Sequence, residues 1–334
     1  MNRKLLPLAL GGLAIGTTEF VMMGLLPYIA AEFRVSIPEA GYVIAAYALG
    51  VVIGAPLLII LGANVRPKKM LKVLMIIFVA FNLLSAFAPN NTVLFFTRLF
   101  AGLPHGAFFG VGSVVATRMA VNGKTAQAIS VMFAGLTLAN LMFVPLGSFI
   151  GDNFSWRFAF AGVAVIGLLT LVAVQLVLPD LAVERKGNLG TELQIFRKPE
   201  TWLIVMITAI GTGGLFCWIS YIAPLMTDVA GFAAADMSYI LALAGLGMFV
   251  GNIVGGKLAD NLSPIRACIF LLLLMALTLL MIYFTADNKI MSLIMTFVAG
   301  CCSIAMAAPI QVLMIQTSEG AETLGASVTQ AAFN

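Results

Sequence analysis

Charged residues are scarce in this sequence: Asp, Glu, Lys and Arg make up 10% of its 334 residues, against about 25% in soluble domains. Histidine occurs once, as His105. Cysteine occurs four times, always in apolar segments and without paired spacing: Cys217, Cys268, Cys301 and Cys302. We interpret the cysteines as small buried hydrophobes, and we expect no disulfide framework and no metal site.

Enzyme signatures are also missing. There is no Ser/His/Asp order, no set of residues with metal-ligand spacing and no phosphate-binding glycine loop. The formal net charge is +4, but the basic residues are spread over loops and form no basic face. The sequence therefore predicts a protein that is not an enzyme, with no cofactor and no nucleic-acid partner.

Apolar residues are abundant instead, at 61% of the chain, with a mean hydropathy of +1.07. This composition predicts an all-α polytopic membrane protein, because backbone polar groups in lipid must be satisfied within each segment. Each membrane-length segment is bounded by charge, Pro, Gly or Asn. Ten complete segments run at 5–30, 40–62, 70–88, 92–119, 125–150, 156–178, 201–227, 236–259, 266–285 and 290–316, and an eleventh starts near Ala321.

The distribution of basic residues predicts the orientation. If the N-terminus is cytoplasmic, most of the 18 Lys and Arg residues fall on the cytoplasmic side, as the positive-inside rule requires. The outer side then holds only Arg34, Arg157 and Lys289, and Arg98 lies within the membrane. The cytoplasmic set is Arg3, Lys4, Arg66, Lys68, Lys69, Lys72, Arg118, Lys124, Arg185, Lys186, Arg197, Lys198, Lys257 and Arg266.

An internal repeat predicts two halves. A shift of 197 residues superposes six glycine, proline and tyrosine positions: Gly16 on Gly213, Pro27 on Pro224, Tyr42 on Tyr239, Gly50 on Gly247, Gly54 on Gly251, and Pro67 on Pro264. Residues 1–178 then form one six-helix bundle, residues 179–200 a cytoplasmic linker, and residues 201–334 a second, incomplete bundle. Parallel halves with a site at their interface are typical of one large class of secondary transporters.

The fourth segment carries an arginine and a histidine inside the membrane, in the stretch Thr97–Gly106. An arginine at that depth persists only if it faces a partner or a wet cavity. Helical spacing places Arg98, Gly102, His105 and Phe109 on one face. We therefore expect a polar face on this glycine-rich helix, with His105 handling protons, hydrogen-bonding substrate, or simply bonding a neighbouring helix.

Glu19 is the only carboxylate deep within any segment. Its depth in the first segment nearly matches that of Arg98 in the fourth, as judged from the rise per residue. The pair predicts an ion pair or a proton-switched contact across a cavity. The alternative is a fixed structural salt bridge.

Several other residues are candidate substrate contacts. Asn140 is a polar residue midway along the fifth segment, where it could also bond a neighbouring helix. An amide and aromatic rings suit a sugar or an apolar drug, and the later segments offer Phe216, Trp218, Tyr221 and Gln311, in addition to Phe109.

Taken together, these residues resemble the major facilitator superfamily over the whole chain. The run from Arg98 to Gly106 is similar to the helix 4 motif of its bacterial drug:proton antiporter branch, in which the arginine is implicated in proton coupling. Gly16–Phe20, followed by Gly24–Pro27, looks like helix 1 of the efflux branch. Asn153–Arg157 resembles the usual start of helix 6, and Pro104–Gly110 points to the arabinose efflux permeases.

Two departures from the superfamily pattern concern gating and antiport. The loop after helix 2 normally carries an Asp, whereas here it keeps only the basic residues Arg66, Lys68 and Lys69. The second half retains an acid at Asp260, followed by Arg266. The helix 5 antiporter motif survives only as Gly135, Pro145, Gly147 and Gly151, which leaves facilitated export open as an alternative to antiport.

The resemblance implies a multi-pass transporter of the bacterial inner membrane that binds a small molecule and protons and acts as a monomer. Proton-coupled export of a sugar or related compound is the leading hypothesis. The alternatives are multidrug efflux of lipophilic cations attracted by Glu19 and a membrane sensor without transport. Because the eleventh segment is still open at Asn334, we also expect this chain to be a fragment of a twelve-helix protein that does not export as written.

Overall fold

The computed structural model describes residues 3–183, 192–233 and 236–334, except for the side chains of residues 144, 148, 152, 215–217 and 220. The described residues are all-helical, which confirms the predicted fold class. The first six helices are α1 Leu6–Phe33, α2 Ile37–Gly62, α3 Pro67–Ala86, α4 Asn91–Arg118, α5 Thr125–Asn153 and α6 Arg157–Val177. The others are α7 Pro199–Ser220, α8 Met237–Leu262, α9 Pro264–Thr285, α10 Lys289–Thr317 and α11 Glu322–Phe333.

Nine of the described helices are long and apolar enough to cross a bilayer. The seventh predicted segment, 201–227, is α7 followed by a short helix and a π-helical turn at Leu225–Val229. The tenth, α10, is interrupted at Met306, between Lys289–Ala305 and Ala307–Thr317. Pro309 explains the break, because it has no N–H to offer the carbonyl of residue 305 and its ring crowds the preceding turn.

Local capping sets several helix starts. The Ser36 hydroxyl accepts the N–H of Glu39 at 3.3 Å, and the Asn90 side chain accepts that of Val93 at 2.9 Å. Asn288 accepts from both Ile290 and Met291. These side chains satisfy N–H groups that have no acceptor within the helix.

The first six helices pack mainly through α1 on α5, α2 on α4, and α3 on both α4 and α6, while α8, α9 and α10 pack on one another. The two groups meet where α8 lies against α5 and where α11 lies against α2 and α4. The division into bundles at residues 178 and 201 stays a prediction. Residues 184–191 of the predicted linker lie outside the described residues.

The internal repeat is visible in how glycines pack. A Cβ on Gly50 or Gly54 of α2 would lie 2.0 or 2.2 Å from the carbonyl oxygen of Leu99 or Leu103 in α4. The equivalent Gly247 and Gly251 of α8 bear the same relation to Phe297 and Cys301 of α10, at 2.3 and 1.9 Å. Both groups therefore bring two helices into backbone contact at matching positions, as small residues allow in membranes.

The Gly54 contact predicts a sharp difference between two glycines of α2. Gly54→Ala should lower the thermal midpoint of the purified protein, because overpacking against the Leu103 backbone costs about 1–3 kcal/mol. Gly41→Ala is the matched control, since a Cβ there meets nothing within 4 Å. Equal midpoints for the two variants would contradict the close approach of α2 and α4.

Candidate functional site

The Arg98 side chain is buried in the first group of helices, with 1% of its surface exposed. Its Nη1 donates to the Thr18 hydroxyl at 2.7 Å and its Nη2 to the Thr18 carbonyl at 3.1 Å. The guanidinium also lies over the Tyr47 ring, 4.3 Å from its centroid. These contacts replace water around the charge, by charge-assisted hydrogen bonds and a cation–π interaction.

The hydrogen bonds continue from Arg98 into α3. The Thr18 hydroxyl donates to the Asn82 side-chain oxygen, and the Asn82 amide donates to the Phe78 carbonyl at 2.9 Å. Each polar group in this series of hydrogen bonds satisfies the next one. The hydrogen bonds that begin at the buried charge of Arg98 therefore connect α4, α1 and α3.

Glu19 and Arg98 form no ion pair within the described residues, so the ion-pair alternative is wrong for this conformation, while the proton-switched contact stays a prediction. Neighbouring residues on a helix point about 100° apart. Thr18 faces Arg98, and Glu19 therefore turns to the central cavity. Matching depth gave no information about this rotation around the helix axis.

His105 lies about two helical turns after Arg98 on the same face of α4, as predicted, and is 1% exposed. Its Nδ1 is 3.1 Å from the Tyr47 hydroxyl oxygen, and its ring centroid is 5.3 Å from that of Phe109. Tyr47 thus contacts both Arg98 and His105. Sequence reasoning missed Tyr47, whose only signal is a buried hydroxyl-bearing ring in the second segment.

A central cavity of about 690 Å³, including its open part, lies between the two groups of helices. Its polar groups come from α1, α4, α7, α10 and α11, and the rest of its wall is apolar. The polar members are Glu19, His105, Thr212, Ser303, Gln330 and Asn334. The apolar members are Phe20, Met23, Phe133, Leu136, Ile219, Met248, Ile304, Ala307 and Phe333.

None of the predicted substrate contacts with a described side chain forms this wall. Phe109 is fully buried behind it and stacks on Phe133 at 5.0 Å. Gln311 is also buried: it donates to the Ala326 carbonyl at 2.9 Å and accepts from Gln330 at 3.1 Å. Gln330 and Asn334, which line the cavity, are therefore the amides that reach the site among the described residues.

The remaining three described candidates also lie elsewhere. Tyr221 follows the end of α7 and is 70% exposed, which corrects its assignment to the cavity. Trp218 is buried among the side chains of α7, α8 and α10, and Asn140 is half-buried away from the wall. The side chain of Phe216 lies outside the described part of the chain.

The predicted gating residues lie at the end of the helices that carries Lys68, Lys69, Lys72, Lys124 and Lys257, which we call the lysine-rich face. The two carboxylate oxygens of Asp260 accept the N–H groups of Ala126 and Gln127 at 2.9 and 3.0 Å. Those groups are in the first turn of α5, where the helix dipole favours negative charge. Asp260 of α8 thereby caps a helix of the other group across the interface.

The basic gating residues are arranged differently. Arg66 pairs with Asp180 at 2.8 Å, and Lys68 donates to the Leu178 carbonyl at 2.6 Å. Lys69 and Arg266 are exposed at the surface. Arg66 and Lys68 thus hold the start of the 179–200 region against α3.

Comparisons with known proteins place the chain. A model described as Major Facilitator Superfamily matches residues 8–334. The chain belongs to this superfamily. Its members are transporters, so the protein is a multi-pass membrane transporter of small molecules and not an enzyme.

Two of its similar relatives are from Escherichia coli (strain K12). "Putative transporter AraJ" is 39% identical over 336 residues, covering 100% of this chain and 85% of the relative. "Inner membrane transport protein YdhP" is 39% identical over 334 residues, covering 100% and 86%.

Solved structures support the major facilitator fold. A "proton:xylose symporter XylE bound to 6-bromo-6-deoxy-D-glucose" matches with a TM-score of 0.81 at 17% identity, over 99% of this chain and 86% of that one. A bacterial homolog of the lysosomal transporter Spinster, in an inward-facing and unoccupied conformation, matches with a TM-score of 0.63 at 16% identity, over 99% and 79%.

The position of the acid that the superfamily carries after helix 2, and that this chain lacks, can be located in the structure. By the 197-residue repeat, Asp260 corresponds to Ala63, and the start of α5 corresponds to the start of α11. Ala63 lines a cavity of about 1050 Å³ together with Thr323 and Leu324 of the first turn of α11. Glu192 also lines it, and burial raises the pKa of that carboxyl. Among the described residues, only the start of α5 is therefore capped across the interface by an acid from the other group.

The Arg98 contacts predict a loss on Arg98→Lys. A lysine keeps the charge but has a single nitrogen, which cannot serve both Thr18 oxygens and lie flat on Tyr47. Hydrogen bonds to charged groups contribute about 1.5–3 kcal/mol, so the thermal midpoint of the purified protein should fall. Thr18→Ser, which keeps both acceptors, is the control. A midpoint equal to wild type for Arg98→Lys would show that the fork geometry is unimportant.

Proposed function

We propose that this chain is a proton-coupled exporter of a small molecule in a bacterial inner membrane, working as a monomer with its N-terminus in the cytoplasm. The observation that carries the proposal is the position of Glu19. It is an acid on the wall of the central cavity that lies between the two groups of helices.

Charge balance supports a role for Glu19 in coupling. A bare carboxylate is costly when a cavity closes inside a membrane. A proton or a bound substrate group would each neutralise Glu19 and allow closure. If the two compete for the same carboxylate, the transporter carries one outward and the other inward, which is antiport.

The proposed roles of Arg98 and His105 follow from their contacts. Arg98 holds Thr18, the residue before Glu19, by two hydrogen bonds. His105 lines the cavity and reaches Arg98 through Tyr47. Together they would position Glu19 and sense changes at the cavity through one connected set of side chains.

The leading substrate class is a sugar or a related polyol. Hydroxyl, amide and imidazole groups from five helices surround the cavity, and Phe133 and Phe333 offer apolar faces for a sugar ring. The superfamily resemblance of Pro104–Gly110 favours the same class.

A second candidate is a lipophilic cation, which the largely apolar wall and the single acid Glu19 favour. Uptake of a panel of labelled sugars and lipophilic cations into inverted vesicles would decide between the classes. Each compound should be assayed with and without an acidic lumen.

Glu19→Gln should abolish the stimulation of uptake by an acidic lumen, because glutamine nearly keeps the shape of the side chain and cannot release a proton. Exchange of labelled for unlabelled substrate without a gradient should remain, which shows that the variant is folded. Glu39→Gln removes an exposed carboxylate at the start of α2 and should behave as wild type. Equal stimulation in Glu19→Gln and wild type would refute proton coupling through Glu19.

The cap that Asp260 provides at the start of α5, and the lack of an acid at the equivalent Ala63, predict opposite effects of two substitutions. Asp260→Asn should loosen the contact between the two groups of helices on the lysine-rich face. Ala63→Asp should tighten that contact, because the new carboxylate would cap the start of α11. The readout is maleimide labelling, in inverted vesicles, of Ser327→Cys, whose position is buried against Gly110. All native cysteines are first replaced.

We expect Asp260→Asn to raise the labelling rate about tenfold, from the loss of a charge-assisted cap. Asp180→Asn removes an exposed acid on the same face and should leave the rate unchanged. Identical rates in all three variants would show that Asp260 is not a lock.

A further inference from the structure

A second groove, separate from the central cavity, runs along the outside of the helices where the two groups meet. Its floor is α5 and its walls are α1 and α8, and it encloses about 1240 Å³, including its open side. It shares no residue with the central cavity. The lining residues used below are Leu13, Gln127, Ala134, Leu138, Phe249 and Lys257.

The groove is polar at one end only. Lys257 and Gln127 lie at its mouth on the lysine-rich face, and the residues deeper in the membrane are almost entirely apolar. Lys124 lines a neighbouring depression that shares Gln127 and Val131 with the groove. Two lysines therefore flank one amide at the mouth.

No acid in the described residues forms an ion pair with either of these two lysines. Lys257 and Lys124 are both exposed. The nearest acid along α8 is Asp260, and both its oxygens accept N–H groups at the start of α5. The mouth thus keeps a net positive charge while the groove below it stays apolar.

The groove has the depth of one bilayer leaflet. From Gln127 to Leu138 the α5 floor rises about 16 Å, at about 1.5 Å per residue. Half of a hydrocarbon core about 30 Å thick is about 15 Å. An occupant with one charged end at the surface and a chain reaching the midplane fits these dimensions.

We propose that this groove binds one anionic phospholipid of the lysine-rich leaflet, with an acyl chain along α5 and its phosphate between Lys257 and Lys124. Clusters of basic residues beside membrane helices attract anionic lipids in this way. The lipid would touch α1 and α5 of one group and α8 of the other. It would therefore stabilise the contact between the two groups of helices that Asp260 also stabilises.

The test uses the purified chain in detergent, with phosphatidylglycerol or phosphatidylcholine of identical acyl chains. Native mass spectrometry counts the lipids that each protein retains. Wild type should retain one phosphatidylglycerol in preference to phosphatidylcholine. Lys257→Gln should weaken that retention about fivefold, and Lys124→Gln similarly, because each lysine near a membrane surface contributes a comparable factor.

Two further variants separate headgroup from chain binding. Lys69→Gln removes an exposed lysine on the same face but away from the groove and should retain phosphatidylglycerol as wild type does. Ala134→Phe fills the groove and should lower retention of both lipids. Equal retention of the two lipids by wild type would overturn the proposal, as would unchanged retention in Lys257→Gln, an equal loss in Lys69→Gln, or no effect of Ala134→Phe.

Discussion

The lack of water in the bilayer core is the constraint on which this structure depends, because every backbone polar group there needs a partner within the protein and a buried charge is costly without one. Backbone groups are satisfied in the helices. Threonine hydroxyls bond the carbonyl four residues earlier, as Thr208, Thr212 and Thr296 do. Arg98 is the extreme case, since its charge needs Thr18 of α1 and Tyr47 of α2 together. The arginine that suggests function thus also fixes how three helices sit together.

Contact between the two groups of helices depends instead on glycines, whose lack of a side chain lets the helices approach closely. Gly245 and Gly256 of α8 lie directly against Leu141 and Ser130 of α5, and Gly110 of α4 lies against Ser327 of α11. Such surfaces separate without breaking many specific bonds. The hydrogen bonds between Asp260 and the start of α5 then add a specific, directional contact to an interface that is otherwise held by close packing.

Sequence patterns predicted the helices and the shared face of Arg98 and His105, because these depend on local periodicity and length. They did not predict which residues line the cavity. Depth along a helix can be counted from sequence, but rotation about its axis depends on packing with other helices. Glu19 and Arg98 agreed in depth and differed in direction, while Tyr221 lay beyond a helix end set by tertiary structure. Tyr47 was missed for the same reason, since its role exists only once α2 meets α4.

The interruption of α10 at Met306 has a mechanical consequence. Ser303 and Ile304 line the central cavity just before the break, and Ala307 lines it just after. The part beyond, Ala307–Thr317, is a rigid arm of 11 residues, or about 16 Å. A change of about 10° at the break moves the tip of this arm by about 3 Å, by the same helix dimensions. Because the two parts of α10 meet at a break beside the cavity, a small change in the angle there displaces the end of the helix at the membrane surface. An unbroken helix achieves the same displacement only by tilting along its whole length.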